Sequence, residues 1–193
     1  MPKVETFNRD QIIERATAVF HEKGYNATSM QDLVDATGLN RSSIYNSFIS
    51  KLDLYLECLK AYETKSNRMT SKLLLQADNP KQAIESIFNT FIDIIIGERQ
   101  EKGCLIGNCK AEMANHESSI TNFLNQNQSN TIALFEDLIS QGQDQGMFNT
   151  NKNAKEYALY LYTAVQGFRM TGILLNERNE LKAIADTILQ TLE

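Results

Sequence analysis

Apolar residues recur at helical spacing along almost the whole chain, and capping residues cut that periodicity into nine segments. Asn8, with Gln11 three residues on, starts a first helix in which Ile12, Ile13, Ala16, Val19 and Phe20 share a face until Gly24 ends it. Thr28, with Gln31 in the reciprocal position, is the predicted start of a short second helix buried through Met30, Leu33 and Val34. Thr37-Gly38-Leu39-Asn40 breaks that helix and caps a third, whose inward positions are Ile44 and Phe48. Ser50 and Asp53 open a fourth, apolar at Leu52, Tyr55, Leu56, Leu59 and Tyr62 and continuing to about residue 75.

The pattern restarts at "ADNP", after which Ala83, Ile84, Ile87, Phe88, Phe91, Ile92 and Ile95 make a strongly apolar fifth helix. "GERQEKG" reads as a loop over 97–103, and "CLIGNCKAEMA" as a short sixth helix. A seventh is predicted over about 118–141, an eighth over 154–175 and a ninth over 181–192, with a turn-rich stretch, "GQDQGMFNTNKN", before the eighth. No strand alternation of useful length, internal repeat or low-complexity tract interrupts this series. The expected fold is all-α, with an N-terminal three-helix domain over 1–50 and a C-terminal helical domain over 51–193.

The third helix departs from an ordinary surface helix. Its outward positions are Ser42, Ser43, Asn46 and Ser47, flanked by Arg41 and Lys51, where Glu and Lys would be usual. Helices two and three, joined by a four-residue turn at Gly38, form a helix-turn-helix candidate. A major groove about 12 Å wide admits a helix, and short hydroxyl and amide side chains let its backbone approach the base edges while still hydrogen bonding. Arg41, the Tyr45 hydroxyl and Lys51 are then expected to hold phosphates, helped by the second helix's N-terminus at Thr28 and Ser29.

Composition narrows the alternatives. The net charge is −5, yet residues 1–51 carry six basic and six acidic side chains, so any nucleic-acid surface belongs to the first quarter and is a local patch. Three cysteines follow no secretory signal, and the longest apolar run, "FIDIIIG", is too short for a bilayer, which predicts a cytoplasmic protein with reduced thiols and no membrane contact. His21 and His116 are far apart and lack cysteine at ligand spacing, so neither a metal nor another cofactor is expected. There is no nucleophile elbow or phosphate-binding glycine loop, and Glu112 and His116, at i and i+4, read as a surface pair or a helix-end cation. An enzyme is not expected.

The stretch "AVFHEKGYNATSMQDLVDATGLNRSSIYNSFISKLDLYLECL" closely resembles the DNA-binding domain of TetR-type transcriptional regulators in its Phe-x-x-x-Gly-Tyr, Thr-Gly-Leu, Ile-Tyr-x-x-Phe and Ser-Lys elements. The resemblance spans roughly residues 8–56. Ser47 stands where the family often has histidine or tyrosine, and Leu52 where an acidic residue is common. "GCLIGN" and "VQGFRM" are similar to segments of the family's C-terminal half. What the resemblance implies is a homodimer paired through helices 8 and 9 in a four-helix bundle, and a ligand chamber in the second domain. Tyr157, Leu161, Ala164, Val165, Phe168, Ile173 and Leu174 make the eighth helix apolar on more than one face, in keeping with that pairing.

For the chamber, the candidate contacts are the aromatic residues Tyr62, Phe88, Phe91 and Phe123, each of which also fits an ordinary core. To these are added polar residues on apolar faces, Asn108, Asn127, Gln166 and Thr171, because burying them without a partner is costly. Cys104 is a candidate contact and, with Lys102 and Lys110 nearby, also a candidate reactive thiol, although cysteine more often serves as a small buried apolar residue. The resulting expectation is a repressor released from a palindromic operator by a small, largely apolar effector. A cysteine-based electrophile or redox sensor on the same scaffold, and a helical interaction module without an effector, are the alternatives.

Overall fold

The computed structural model describes residues 8–97 and 103–193. Among them are nine helices and no strand: α1 (Arg9–Ala27), α2 (Met30–Thr37), α3 (Arg41–Phe48), α4 (Lys51–Gln76), α5 (Pro80–Ile96), α6 (Leu105–Met113), α7 (Ser118–Asp144), α8 (Ala154–Thr171) and α9 (Arg178–Gln190). The loop expected at 97–103 falls outside the described residues except at its two ends, as does Lys102.

Local chemistry accounts for most of these boundaries. Asn8 accepts from the backbone N–H groups of Asp10 and Gln11, and Asn40 from that of Ser43, so α1 and α3 begin on side-chain caps. The Ser50 hydroxyl accepts from the Asp53 N–H and donates to the Asp53 carboxylate, which starts α4. Pro80 occupies the first turn of α5 behind the Asn79 cap, a position whose N–H has no helical partner to lose. Gly38 closes α2 at φ 72°, a left-handed conformation that suits glycine.

Four expectations are corrected. The cap of α2 is Ser29, in a reciprocal box with Asp32, and not Thr28 with Gln31. Thr28 is 1% exposed, and its hydroxyl donates to the Gly24 carbonyl. Gly24 does interrupt the helical backbone, at φ 76° and ψ 174°, but helical turns resume on its far side to Ala27. The last helix starts at Arg178, a turn earlier than predicted, and α8 ends at Thr171, before Leu175.

The chain divides into two compact units. The first holds residues up to Ser66 together with Leu105–Asn122, so α6 and the first turn of α7 join the three N-terminal helices and the first part of α4. The border expected at 50/51 therefore falls inside this unit. Its centre is formed by Phe20, Leu33, Ile44, Phe48, Leu54 and Tyr55, all buried, with the Phe20 and Tyr55 ring centroids 4.7 Å apart.

The second unit, Asn67–Cys104 and Phe123–Glu193, has its own core from Ile84, Phe88 and Ile92 on α5, Phe135 and Ile139 on α7, Leu161, Val165 and Phe168 on α8, and Leu181 and Leu189 on α9. Phe148, on the turn after α7, folds back so closely that a Cβ on Gly142 would lie 2.1 Å from its ring. Glycine-to-alanine exchange inside a helix ordinarily stabilises it by about 1 kcal/mol. At Gly142 the sign reverses: Gly142→Ala is expected to lower unfolding stability by about 1–3 kcal/mol through overpacking, measured as a lower urea midpoint at unchanged m-value.

Candidate nucleic-acid interface

The buried side of α3 is fixed by Ile44 and Phe48, which are 0% and 2% exposed. At a helical turn of 3.6 residues this sends Arg41, Ser42, Tyr45 and Asn46 outward, and all four are exposed. Ser43 and Ser47 are half-buried at the edges of that face, the Ser43 N–H held by the Asn40 cap. The Arg41 guanidinium lies 5.8 Å from the centroid of the Tyr45 ring, within the range of a weak cation–π contact. Five short or planar polar side chains and one guanidinium thus share one surface of a helix of eight residues.

The surroundings are less available than the sequence suggests. Asp32 occupies the N-terminus of α2 as an internal anion: its carboxylate accepts from the Ser29 N–H at 2.8 Å and the Ser29 hydroxyl at 2.7 Å, and pairs with Lys23 at 2.6 Å. Lys23 and the Ser29 groups hold that carboxyl well below the usual carboxylate range. That carboxylate sets a negative charge beside the N-terminus of α2, where a phosphate was expected, and with Thr28 buried, Ser29 is the exposed member of the pair. Lys51 is also committed. Its ammonium donates to the carbonyls of Tyr25 and Thr28, both at 2.8 Å, and sits 4.2 Å from the Tyr25 ring centroid; burial lowers its pKa. It ties the start of α4 to the backbone at the end of α1.

Two residues that position this face were not predicted to do so. Arg9 donates to the Ser47 carbonyl at 3.3 Å, pairs with Glu57 at 2.6 Å and lies 4.2 Å over the Phe48 ring, tying α1 to the end of α3 and to α4. Glu112 on α6 accepts from the N–H groups of Tyr25 at 2.8 Å and Asn26 at 2.6 Å, beside the Gly24 interruption. Its reading as a surface partner of His116 is corrected: His116 lies exposed past the end of α6. No spacing rule could have found either residue, since the partners are 38 to 87 positions away.

The predicted effector contacts are divided between the units. Tyr62, edge-on to His21 at 5.7 Å, and Asn108 belong to the first. In the second, Phe88 is a core residue packed edge-on against Phe168 at 5.4 Å, while Phe123, Asn127 and Gln166 are half-buried and Thr171 is exposed. Phe91 lines a shallow depression, largely open to solvent, with Ile94, Ile95, Gly103, Arg169, Gly172 and Ile173. The Arg169 guanidinium stands 4.9 Å over the Phe91 ring. Cys104 is half-buried next to Gly103. Burial pushes the Cys58 thiol up to about 12 and raises that of Cys109, which hydrogen bonds Tyr55, so these two are poor nucleophiles at neutral pH.

Comparison with known proteins identifies this arrangement. Residues 12–58 match the family model for bacterial regulatory proteins of the tetR family, and residues 80–188 match that of the tetracyclin repressor-like C-terminal domain. The chain belongs to the TetR family. It is 28% identical over 149 residues, 77% of each chain, to the HTH-type transcriptional regulator YezE of Bacillus subtilis strain 168. With the HTH-type transcriptional repressor ComR of Escherichia coli K12 it shares 25% identity over 191 residues, 98% of this chain and 90% of ComR. Among solved structures, a cysteine-substituted form of the TetR family regulator CifR complexed with 26 bp operator DNA superposes with a TM-score of 0.87 at 21% identity, covering 99% of this chain and 100% of that one. The family is one of DNA-binding transcriptional regulators. Among the described residues no helix is long and apolar enough to cross a membrane, and no cluster of three His, Cys, Asp or Glu side chains is placed to hold a metal.

Removing the Glu112 carboxylate leaves two backbone donors at a half-buried bend without their acceptor. Glu112→Ala is expected to cost about 1–3 kcal/mol of stability and to speed amide exchange selectively at Tyr25 and Asn26, read by hydrogen-exchange NMR against unchanged amides in α5 and α9.

Proposed function

We propose that this TetR-family regulator is a repressor that binds a palindromic operator as a homodimer and is released by a small, largely apolar molecule. The observation that carries the DNA reading is the outward face of α3: Arg41, Ser42, Tyr45 and Asn46 are exposed together, short enough for base-edge approach and bordered by one guanidinium. In this reading Ser42, Ser43 and Asn46 address bases, Arg41 and the Tyr45 hydroxyl address phosphates, and Ser47 flanks them. The structure of CifR with operator DNA and the naming of ComR as a repressor support the readings of DNA binding and of repression.

For the dimer, the support is on α8. Leu159, Thr163, Gly167 and Met170 follow one another at spacings of four, four and three, all exposed, and a Cβ on Gly167 would meet nothing within 4 Å. Tyr160 and Leu174 add exposed apolar surface beside them, Leu174 at 92%. With Ala183 and Thr187 exposed on α9, this gives two helices a largely uncharged face that a second copy would cover. The depression under Arg169 and Phe91 offers the effector an apolar wall with one cation. Release requires a ligand that prefers the form whose two recognition helices no longer match half-sites about 34 Å apart. A coupling of roughly 1–3 kcal/mol, or 5- to 150-fold, is sufficient.

Duplexes selected by the protein from a random pool, titrated at several salt concentrations, test the DNA reading. Arg41→Ala is expected to reduce the slope of log affinity against log salt by roughly one for each phosphate it no longer neutralises, and Asn46→Ala to change the preferred base at one position of each half-site. Salt-insensitive binding, or none, would sink the proposal. Met170→Glu places a charge in the proposed dimer face, and sedimentation should show monomer where the unaltered protein is a dimer, with operator binding weakened in parallel.

A further inference from the structure

Ile49 is the one described residue other than glycine with positive φ, at φ 59° and ψ −55°. That conformation is the strained form of the γ-turn, and the matching hydrogen bond is present: the Ser50 N–H donates to the Phe48 carbonyl at 2.5 Å. A β-branched side chain in this region is an outlier that glycine would relieve. The side chain is also 81% exposed, so no packing within the chain compensates for the strain. Leu75 and Leu174 are more exposed still, yet both have ordinary backbone, and a lone apolar residue on a surface needs no explanation. Ile49 combines strain and exposure at one position.

Its place in the fold states what could offset them. Ile49 is the cap residue of α3, its N–H bonded to the Tyr45 carbonyl at 3.0 Å. Arg41, Tyr45 and Ile49 follow at intervals of four along the border of the polar face. Arg9 holds the nearby carbonyl of Ser47, and the Ser50–Asp53 cap holds the following residue, so the turn is fixed on both sides. At the C-terminal end of a recognition helix the chain passes from the groove floor to its rim, where the duplex presents deoxyribose carbons.

We infer that Ile49 is a DNA contact, an apolar side chain held in a strained turn so that it packs on the deoxyribose rim of the major groove at the edge of each half-site. The inference rests on the reading of α3 as the DNA-facing helix. The contact is uncharged, so it adds affinity without adding counterion release, and it touches sugar, so it is indifferent to the base sequence beside it.

The test uses the full-length protein and duplexes selected by the unaltered chain, with Ile49→Gly, Ile49→Ala and Ile49→Val. Ile49→Gly is expected to raise the thermal midpoint, because the strain is relieved, while weakening operator binding roughly fivefold for each half-site. Ile49→Ala should weaken all selected duplexes by a common factor at unchanged salt slope, and Ile49→Val should restore most of the affinity. A residue with a merely structural role would move stability and affinity together. Ile49→Gly binding as tightly as the unaltered protein overturns the inference, as does a loss that vanishes when uracil replaces thymine, since the contact would then be a base methyl. If the unaltered protein selects no duplex with salt-sensitive affinity, the reading of α3 itself fails, a distinct result.

Discussion

The backbone from Gly24 to Thr28 is where α1 stops being a regular helix and the chain turns towards α2, and its direction there sets how α2 and α3 are presented. Two charged side chains grip it. Glu112 takes the N–H groups of Tyr25 and Asn26, and Lys51 takes the carbonyls of Tyr25 and Thr28. The donors and acceptors of a bend that regular helix would have satisfied are thus answered by a carboxylate from α6 and an ammonium from α4. Gly24 is required at this point because a Cβ would approach the Glu112 carboxylate to 2.9 Å, in a backbone conformation few side chains adopt. Helices far apart in sequence therefore meet on this short bend, and the polar face of α3 inherits its orientation from them.

What the sequence disclosed and what it hid divide along the range of the interactions. Asn8, Asn40, Ser50 with Asp53, and Gly38 act on partners within four residues, so their roles follow from spacing alone. The two faces of α3 were equally legible, because Ile44 and Phe48 fix one and leave the other. The register of the α2 cap was not: Thr28 with Gln31 and Ser29 with Asp32 are both acceptable boxes one residue apart. The choice was made by the burial of Thr28 and by Lys23, which reaches Asp32 from nine positions away. Arg9, Glu112 and the carbonyl-bound Lys51 act over 23 to 87 positions, beyond any local pattern. The positive φ of Ile49 had no signal whatever, since residue type argues against it.

The second unit shows the opposite balance. Its core is assembled from long apolar faces on α5, α7, α8 and α9, and periodicity finds such faces readily. Periodicity does not distinguish a ring that fills a core from one that lines a depression. Phe88 and Phe91, three residues apart on α5, were equal candidates, yet the first is buried against Phe168 and the second borders solvent under Arg169. The difference is set by which neighbours arrive, and these come from α8.

The internal anion at the head of α2 bears on behaviour in a cell crowded with DNA. Asp32 already accepts from the Ser29 N–H and pairs with Lys23, and Lys51 is engaged by carbonyls. The chain as a whole carries a net charge of −5. Little diffuse positive charge remains to hold the protein on arbitrary sequence, where affinity is almost wholly electrostatic. Non-specific affinity, which grows with each phosphate neutralised, is therefore expected to be weak for this chain, and discrimination between sequences falls to the few side chains that meet the duplex directly.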